Sequence, residues 1–294
     1  MSTAFIFPGQ GSQYQGMLKD ITGVKVVFDI ASRVLNLDLW QLAQFGSEED
    51  LNNTVNTQPL LLTAGVALYR LWQEKPAFMA GHSLGEYTAL VCSEAIGFED
   101  AVRLVRERGR LMQEAVPAGQ GAMAAILGMD ETTLGAVCET AAQGEVVSPV
   151  NFNAIGQIVI AGHTQAVERA CELAKEKGAK RALMLPVSVP SHCALMFDAA
   201  KKLGEFLETI KIVTPRIPII HNVDVATHSH PDDIREALVK QLYCPVRWVE
   251  SIQRLMQEGV HTMIECGPGK VLCGLVKRID PTIEAISLEE ALRG

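Results

Sequence analysis

Apolar and polar positions along the chain follow two alternating periods. A short apolar run, Ala4 to Phe7, reads as a first strand and enters Pro8-Gly9-Gln10-Gly11, where two glycines free the backbone to approach a ligand closely. Spacing near 3.6 predicts helices around 24–35 and 59–73, and a strand near 77–80 leads into Gly81-His82-Ser83-Leu84-Gly85. Glu86 to Ala95 and Glu99 to Val116 then read as helices. After a middle segment of different pattern, Ile217 to Asn222 and His261 to Cys266 look like further core strands, with helices near 194–210, 231–241 and 248–258. Apolar strands alternating with helices predict an α/β fold whose mainly parallel sheet is covered on both faces.

The middle segment, Gly121 to Val189, reads as strand, helix, two strands, helix and strand, the last over 181–188. That is the split βαβ order of a ferredoxin-like unit. Pro117, Gly119, Gly121, Pro186 and Pro190 punctuate its ends, as domain junctions often are. The expected organisation is one catalytic subdomain from 1–120 and 190–294, with 121–189 as an inserted smaller subdomain.

Composition narrows the function classes. With 294 residues, 48% apolar and 20% charged, the chain can bury a substantial core. Its net charge of −8 repels nucleic acid and anionic lipid, so neither is an expected partner. Seven cysteines without a CxxC pair read as reduced, buried thiols in a reducing compartment. The first residues carry no basic segment ahead of their apolar run, which suits a strand and not an export signal. The longest uncharged stretch, Val146 to Val167, is broken by Pro149, Asn151, Asn153, Gln157 and His163, unlike a bilayer-spanning helix. A soluble, cytoplasmic chain is expected.

GHSLG fits the GxSxG elbow, in which a serine sits on a sharp turn between strand and helix with its hydroxyl exposed. The flanking pattern supplies that context, and a helix N-terminus would direct free N–H groups at developing negative charge. A serine nucleophile needs a base, and seven histidines are available. His82 would brace the turn, and His163 opens a helix. His228 and His230 lie in an acidic loop, while His221 and His261 border core strands as buried imidazoles would. His192 follows the return from the inserted unit, over the junction between subdomains, where clefts are common. Position favours it only slightly, and spacing identifies no acid for a full triad.

Arg108 is the most informative residue. In the helix from Glu99, residues Ala101, Leu104, Val105, Leu111, Met112 and Ala115 form one apolar stripe, and Arg108 falls in its middle. Arg103, Arg106, Glu107, Arg110 and Glu114 point elsewhere. A buried guanidinium needs an anionic partner, either a carboxylate of the same chain or one from a substrate held bidentately. Glu265 to Lys270 is not a phosphate loop, because Ile264 stands at the first glycine position and Val271 replaces the hydroxyl residue. A tight turn from strand to helix is expected there.

Taken together, FPGQGSQ (7–13), GHSLGEYTAL (81–90), RGRLMQEAVP (108–117), VSVPSHCALM (187–196), QLYCPVRW (241–248) and GPGKVL (267–272) resemble the malonyl-CoA:acyl carrier protein transacylase family, in its order and over nearly the whole chain. The resemblance implies an α/β-hydrolase-like large subdomain with a ferredoxin-like insert. It implies Ser83 as acyl-accepting nucleophile, His192 as general base, and Arg108 as clamp on the malonyl carboxylate. Backbone N–H groups of Gln10 and Leu84 would form the oxyanion hole, and the Gln241 main-chain carbonyl would orient the histidine. Ser191 differs from the Phe common before the histidine in malonyl-selective modular synthase domains, which leaves stringency open.

The implied partners are malonyl-CoA and an acyl carrier protein, with no metal or redox cofactor and a monomeric chain. Carrier proteins of this kind are typically acidic, making Lys270, Lys277 and Arg278 candidate docking residues. The competing readings are a serine thioesterase or esterase, which would deliver water to the acyl-enzyme, and a catalytically idle binding module.

Overall fold

The computed structural model describes residues 2–187 and 189–293. The first half contains β1 (Ser2–Phe7), α1 (Lys25–Leu35), α2 (Leu39–Phe45), α3 (Glu48–Asn52), α4 (Thr54–Leu71), β2 (Phe78–Gly81), α5 (Leu84–Cys92) and α6 (Phe98–Ala115). The middle contains β3 (Gly121–Leu127), α7 (Glu131–Ala142), β4 (Val147–Ala154), β5 (Gln157–His163), α8 (Thr164–Glu176) and β6 (Arg181–Met184). The remainder contains α9 (Phe197–Leu207), β7 (Ile219–Ile220), α10 (Pro231–Gln241), α11 (Trp248–Gln257), β8 (Val260–Glu265), α12 (Val271–Ile279), β9 (Glu284–Ser287) and α13 (Leu288–Arg293).

The larger sheet has the order β7-β2-β1-β8-β9, and every pair in it is parallel. Its central strand shows why both faces are buried. Phe5 and Phe7 pack into the cluster that contains α4, α5 and α6, whereas Ala4 and Ile6 pack against Trp248, Ile252 and Leu272 from α11 and α12. The smaller sheet, β4-β5-β3-β6, is antiparallel throughout, the strand order of a ferredoxin-like unit. Helices α7 and α8 cover the face of Ala122, Ala124 and Ile126; Met123 and Val159 turn the other way, toward Cys193 of the larger unit. Val246 joins the two units, donating its N–H to the Val150 carbonyl (2.8 Å) and accepting from the Phe152 N–H (3.0 Å).

Several boundaries differ from the sequence reading. Helix α4 starts at Thr54, not 59, because Asn53 caps it by accepting the Val55 N–H (3.1 Å), and the helix continues through Pro59. Helices α2 and α3 lie outside the expected pattern; Asp38 and Ser47 cap them, and neither is long enough to show a clear period. The strand expected over 181–188 ends at Met184, and Ser188 lies outside the described residues. The strand expected over 217–222 pairs only at Ile219 and Ile220, at the sheet edge. The GPGK turn does join a strand to a helix, β8 to α12.

Candidate active site

Ser83 occupies a sharp turn between β2 and α5, with φ 51° and ψ −108°. A non-glycine residue in this region carries about 1–3 kcal/mol of backbone strain, so its surroundings must hold it there. They do so from both sides. Asn222 Oδ1 accepts the Ser83 N–H (2.8 Å), and Gln241 Nε2 donates to the Ser83 carbonyl (3.0 Å). The flanking glycines are sterically required: a Cβ on Gly81 would stand 1.9 Å from the Gly85 carbonyl carbon, and one on Gly85 would stand 1.9 Å from the Phe7 oxygen.

His192 is brought to this turn from a distant part of the chain. Its Nε2 lies 2.8 Å from Ser83 Oγ, and its Nδ1 lies 2.6 Å from the Gln241 main-chain oxygen. A carbonyl only accepts, so Nδ1 carries the proton and Nε2 presents its lone pair to the Ser83 hydroxyl. The imidazole is 3% exposed, and burial first, then the charge of Arg108, lower its pKa to about 3. It is therefore neutral over the ordinary working range, as a proton acceptor must be.

Arg108 is fully buried on the inner face of α6, where the apolar stripe put it. Its Nη1 donates to Gln58 Oε1 (2.9 Å), while Nη2 donates to Gln241 Oε1 (3.0 Å) and to Ser83 Oγ (3.2 Å). The guanidinium also lies over the Tyr87 ring, 5.2 Å from its centre. Among the described residues it forms no salt bridge. Of the two partners that the sequence left open, the structure provides no contacting carboxylate from the chain itself. The hydroxyl thus stands between a neutral imidazole and a cation, an arrangement able to give up a proton on one side and hold an anion on the other.

Ser83 and His192 open into a cleft of about 340 Å³ between the two sheets, with Arg108 buried behind the Ser83 hydroxyl and not on the cleft wall. Gln10, Ser83 and His192 line one side, and Met123, Asn151 and Val159 of the smaller sheet line the other. Among the described residues, neither the Gln10 nor the Leu84 N–H finds a backbone acceptor within the protein. Leu84 is the first residue of α5, where N–H groups lack helical partners.

The chain matches the acyl transferase domain family over residues 4–284. The chain belongs to that family. It is 57% identical to the malonyl CoA-acyl carrier protein transacylase of Escherichia coli (strain K12) over 295 residues, covering 98% of this chain and 96% of that protein. The solved malonyl CoA-acyl carrier protein transacylase of Coxiella burnetii superposes with a TM-score of 0.98 at 51% identity, covering 100% of this chain and 96% of that one. A third relative was solved as a type II PKS acyl-carrier protein in complex with its malonyl-transacylase; it is 53% identical, with a TM-score of 0.96 over 98% of this chain and 96% of that one. Within the acyl transferases, the chain groups with proteins named malonyl CoA-acyl carrier protein transacylase.

The other histidines of this acyl transferase take varied places. His82 braces the turn, with Nε2 2.7 Å from Asn153 Oδ1 and its ring edge-on to Trp248. His221 is buried, as expected, against Glu86, but His261 is exposed on β8. His163 accepts the Val146 N–H at Nδ1 without capping α8 by its side chain. His230 caps α10, and His228 bonds Asp224. The described residues contain no group of three potential metal ligands, and no helix is long and apolar enough to cross a membrane. Lys270, Lys277 and Arg278 are exposed on or just before α12; Lys270 pairs with Glu290 (2.7 Å) and Arg278 bonds Gln157.

Sequence reasoning missed the amide frame of this acyl transferase site. Gln58, Asn222 and the Gln241 side chain are all buried and hold Arg108 or Ser83, yet each is distant in sequence from what it holds. Glu86 did leave a signal, a carboxylate within the otherwise uncharged helix LGEYTALVC.

Proposed function

We propose that the chain transfers a malonyl group from malonyl-CoA to the phosphopantetheine thiol of an acyl carrier protein, by way of a malonyl-serine intermediate. One observation carries this reading: a single hydroxyl, Ser83 Oγ, is shared by the lone pair of His192 Nε2 and the Nη2 of a fully buried, carboxylate-free Arg108. The spacing suits a three-carbon diacid, with its thioester carbonyl over Ser83 and its free carboxylate on Arg108. The names of the relatives support the same reading.

In the first half-reaction, His192 Nε2 takes the Ser83 proton as Oγ attacks the thioester carbon. The carbonyl electrons move to oxygen, and the N–H groups of Gln10 and Leu84, neither of which has a backbone acceptor, would receive that oxyanion. Such a donor typically contributes about 3 kcal/mol. When the intermediate collapses, the C–S bond breaks and the imidazolium returns the proton to sulfur, releasing CoA. A carrier-protein thiol then enters, loses its proton to the same imidazole and takes the malonyl group, leaving Ser83 free. Every step uses groups of one chain and its substrates, so the reading invokes no metal, cofactor or second copy, and it suits a cytoplasmic monomer.

Arg108 supplies selectivity in this scheme. Acetyl-CoA would leave the guanidinium without its anion, a penalty that pocket shape cannot match. A bound carboxylate also offsets the positive charge that helps to depress His192, so the correct substrate makes its own base stronger. The test is intact mass. After malonyl-CoA the protein should carry one malonyl group, lost on addition of holo carrier protein with matching gain by the carrier. Free malonate appearing instead of carrier acylation would overturn transfer in favour of hydrolysis.

A further inference from the structure

A fully buried guanidinium that touches no carboxylate is strongly disfavoured unless a negative charge lies close by. The hydrogen bonds of Arg108 lead to one. Glu86, in the first turn of α5, is fully buried, and its oxygens accept from His221 Nδ1 (2.7 Å), the Asn222 N–H (3.0 Å) and Gln241 Nε2 (2.9 Å).

Gln241 connects the two charges in one orientation only. Glu86 and the Ser83 carbonyl can only accept, so both face Nε2; the guanidinium can only donate, so it faces Oε1. The amide dipole thus points its negative end at Arg108 and its positive end at Glu86, favourable to both. A carboxylate in direct contact would stabilise the cation more strongly, but would compete for the Nη2 that reaches the Ser83 hydroxyl.

We propose that Glu86 is the counter-charge of Arg108, coupled to it through the Gln241 amide, and that this separation keeps the guanidinium charged while leaving the Nη2 that reaches the Ser83 hydroxyl without a carboxylate of its own, open to one from a substrate. Glu86 is a positioning residue in this scheme, and the second half of the proposal rests on the function proposed above. Burial is the main influence lowering the Arg108 pKa, and Tyr87 and then Glu86 oppose it, in the direction the coupling requires. The same carboxylate also fixes Asn222, whose side chain holds the Ser83 N–H and accepts nothing from Arg108.

Glu86→Gln isolates the charge from the shape. A glutamine oxygen can keep the bonds from Asn222 and Gln241, and its amino group can face His221 Nδ1, because the His221 proton can move to Nε2, which has no partner in the protein. The experiment is a thermal-unfolding cycle on the full chain with Glu86→Gln, Arg108→Met and both together. Glu86→Gln should lower Tm by about 4 °C or more beside Arg108, and by less than half as much beside Met. Equal losses in the two backgrounds overturn the coupling.

A second arm uses the Ser83→Ala background, in which malonyl-CoA and acetyl-CoA stay intact. Malonyl-CoA should raise Tm more than acetyl-CoA does, and that difference should grow when Glu86→Gln is added, since the uncompensated cation then gains more from the substrate carboxylate. A Glu86 with a merely structural role would leave the difference unchanged, which contradicts the proposal. Coupling without any malonyl preference in either protein shows instead that the function proposed above has failed, and the open-donor half of the proposal with it. Glu86→Asp, which keeps the charge, should leave the malonyl–acetyl difference at its size in Ser83→Ala alone; if it enlarges the difference as Glu86→Gln does, shape and not charge is responsible, and the proposal falls.

Discussion

Two arginines on one helix, two positions apart, have opposite surroundings. On the outer face of α6, Arg110 is half exposed and held by Glu107 and Glu114 at 2.6 and 2.7 Å. On the inner face, Arg108 is fully buried and meets amide and hydroxyl oxygens and the Tyr87 ring, with no carboxylate in contact among the described residues. Exposed ion pairs contribute about 0–1 kcal/mol, whereas a contact pair around Arg108 would count for far more. The carboxylates therefore lie where they do little for stability and are kept from contact where they would do most. The inner arginine lacks the contact carboxylate that the outer one has, which suits the proposed role of holding an anion that arrives from outside.

The comparison is sharpened most by removing the hydroxyl that the inner arginine touches. Ser83→Ala is expected to abolish the acyl-protein seen by intact mass after malonyl-CoA addition, while the fold survives, since Oγ is not what holds the turn. A persisting adduct would place the nucleophile elsewhere.

A smaller effect follows from the field of Arg108 on its neighbour. Burial and then this cation keep the His192 imidazole near 3, far below its ordinary 6.5. The kcat/KM for malonyl loading should accordingly show no inflection near 6.5 on the acid side, and stay level to about pH 5. Stability has a definite sign. The unfolded chain binds a proton at this histidine below 6.5 and the folded one does not until about 3, so the contribution is fully present above 6.5 and is lost as pH falls between the two values. The loss approaches about 1.4 kcal/mol per pH unit. Urea unfolding at pH 7 and pH 5 should show a difference that His192→Ala reduces; an equal difference in both proteins would contradict it.

The outer face gives the smallest effect. Arg110→Ala should change stability by no more than about 0.5 kcal/mol and leave malonyl loading unchanged. A loss comparable to that of an inner-face substitution would break the contrast between the two faces.

What the sequence made legible divides along physical lines. Gly81, Ser83 and Gly85 were readable because the constraint is local: both glycines make way for backbone within a few ångströms of the turn. Arg108 was readable because a charge in an apolar stripe contradicts its own helix, and Glu86 would have been readable by the same rule. Gln58, Asn222 and the Gln241 side chain were not, since an amide is unremarkable in either a buried or an exposed setting. Gln58 was further hidden because the helix expected from spacing began at 59, after it, when the Asn53 cap begins the helix before it. The parallel sheet and the β-α-β-β-α-β unit were legible from periodicity. Helices α2, α3 and α13 and strand β9 escaped because four to seven residues span no more than about two periods of the pattern.

The most direct test of the central claim, that Ser83 and Arg108 hold opposite ends of one diacid, is the rate of acyl-enzyme formation from malonyl-CoA and from acetyl-CoA in the parent chain and in Arg108→Ala. Malonyl loading should fall by about 100-fold or more, the scale of a lost charge-assisted contact, while acetyl loading falls much less or rises. Equal losses for both substrates would make Arg108 a structural arginine and contradict the account.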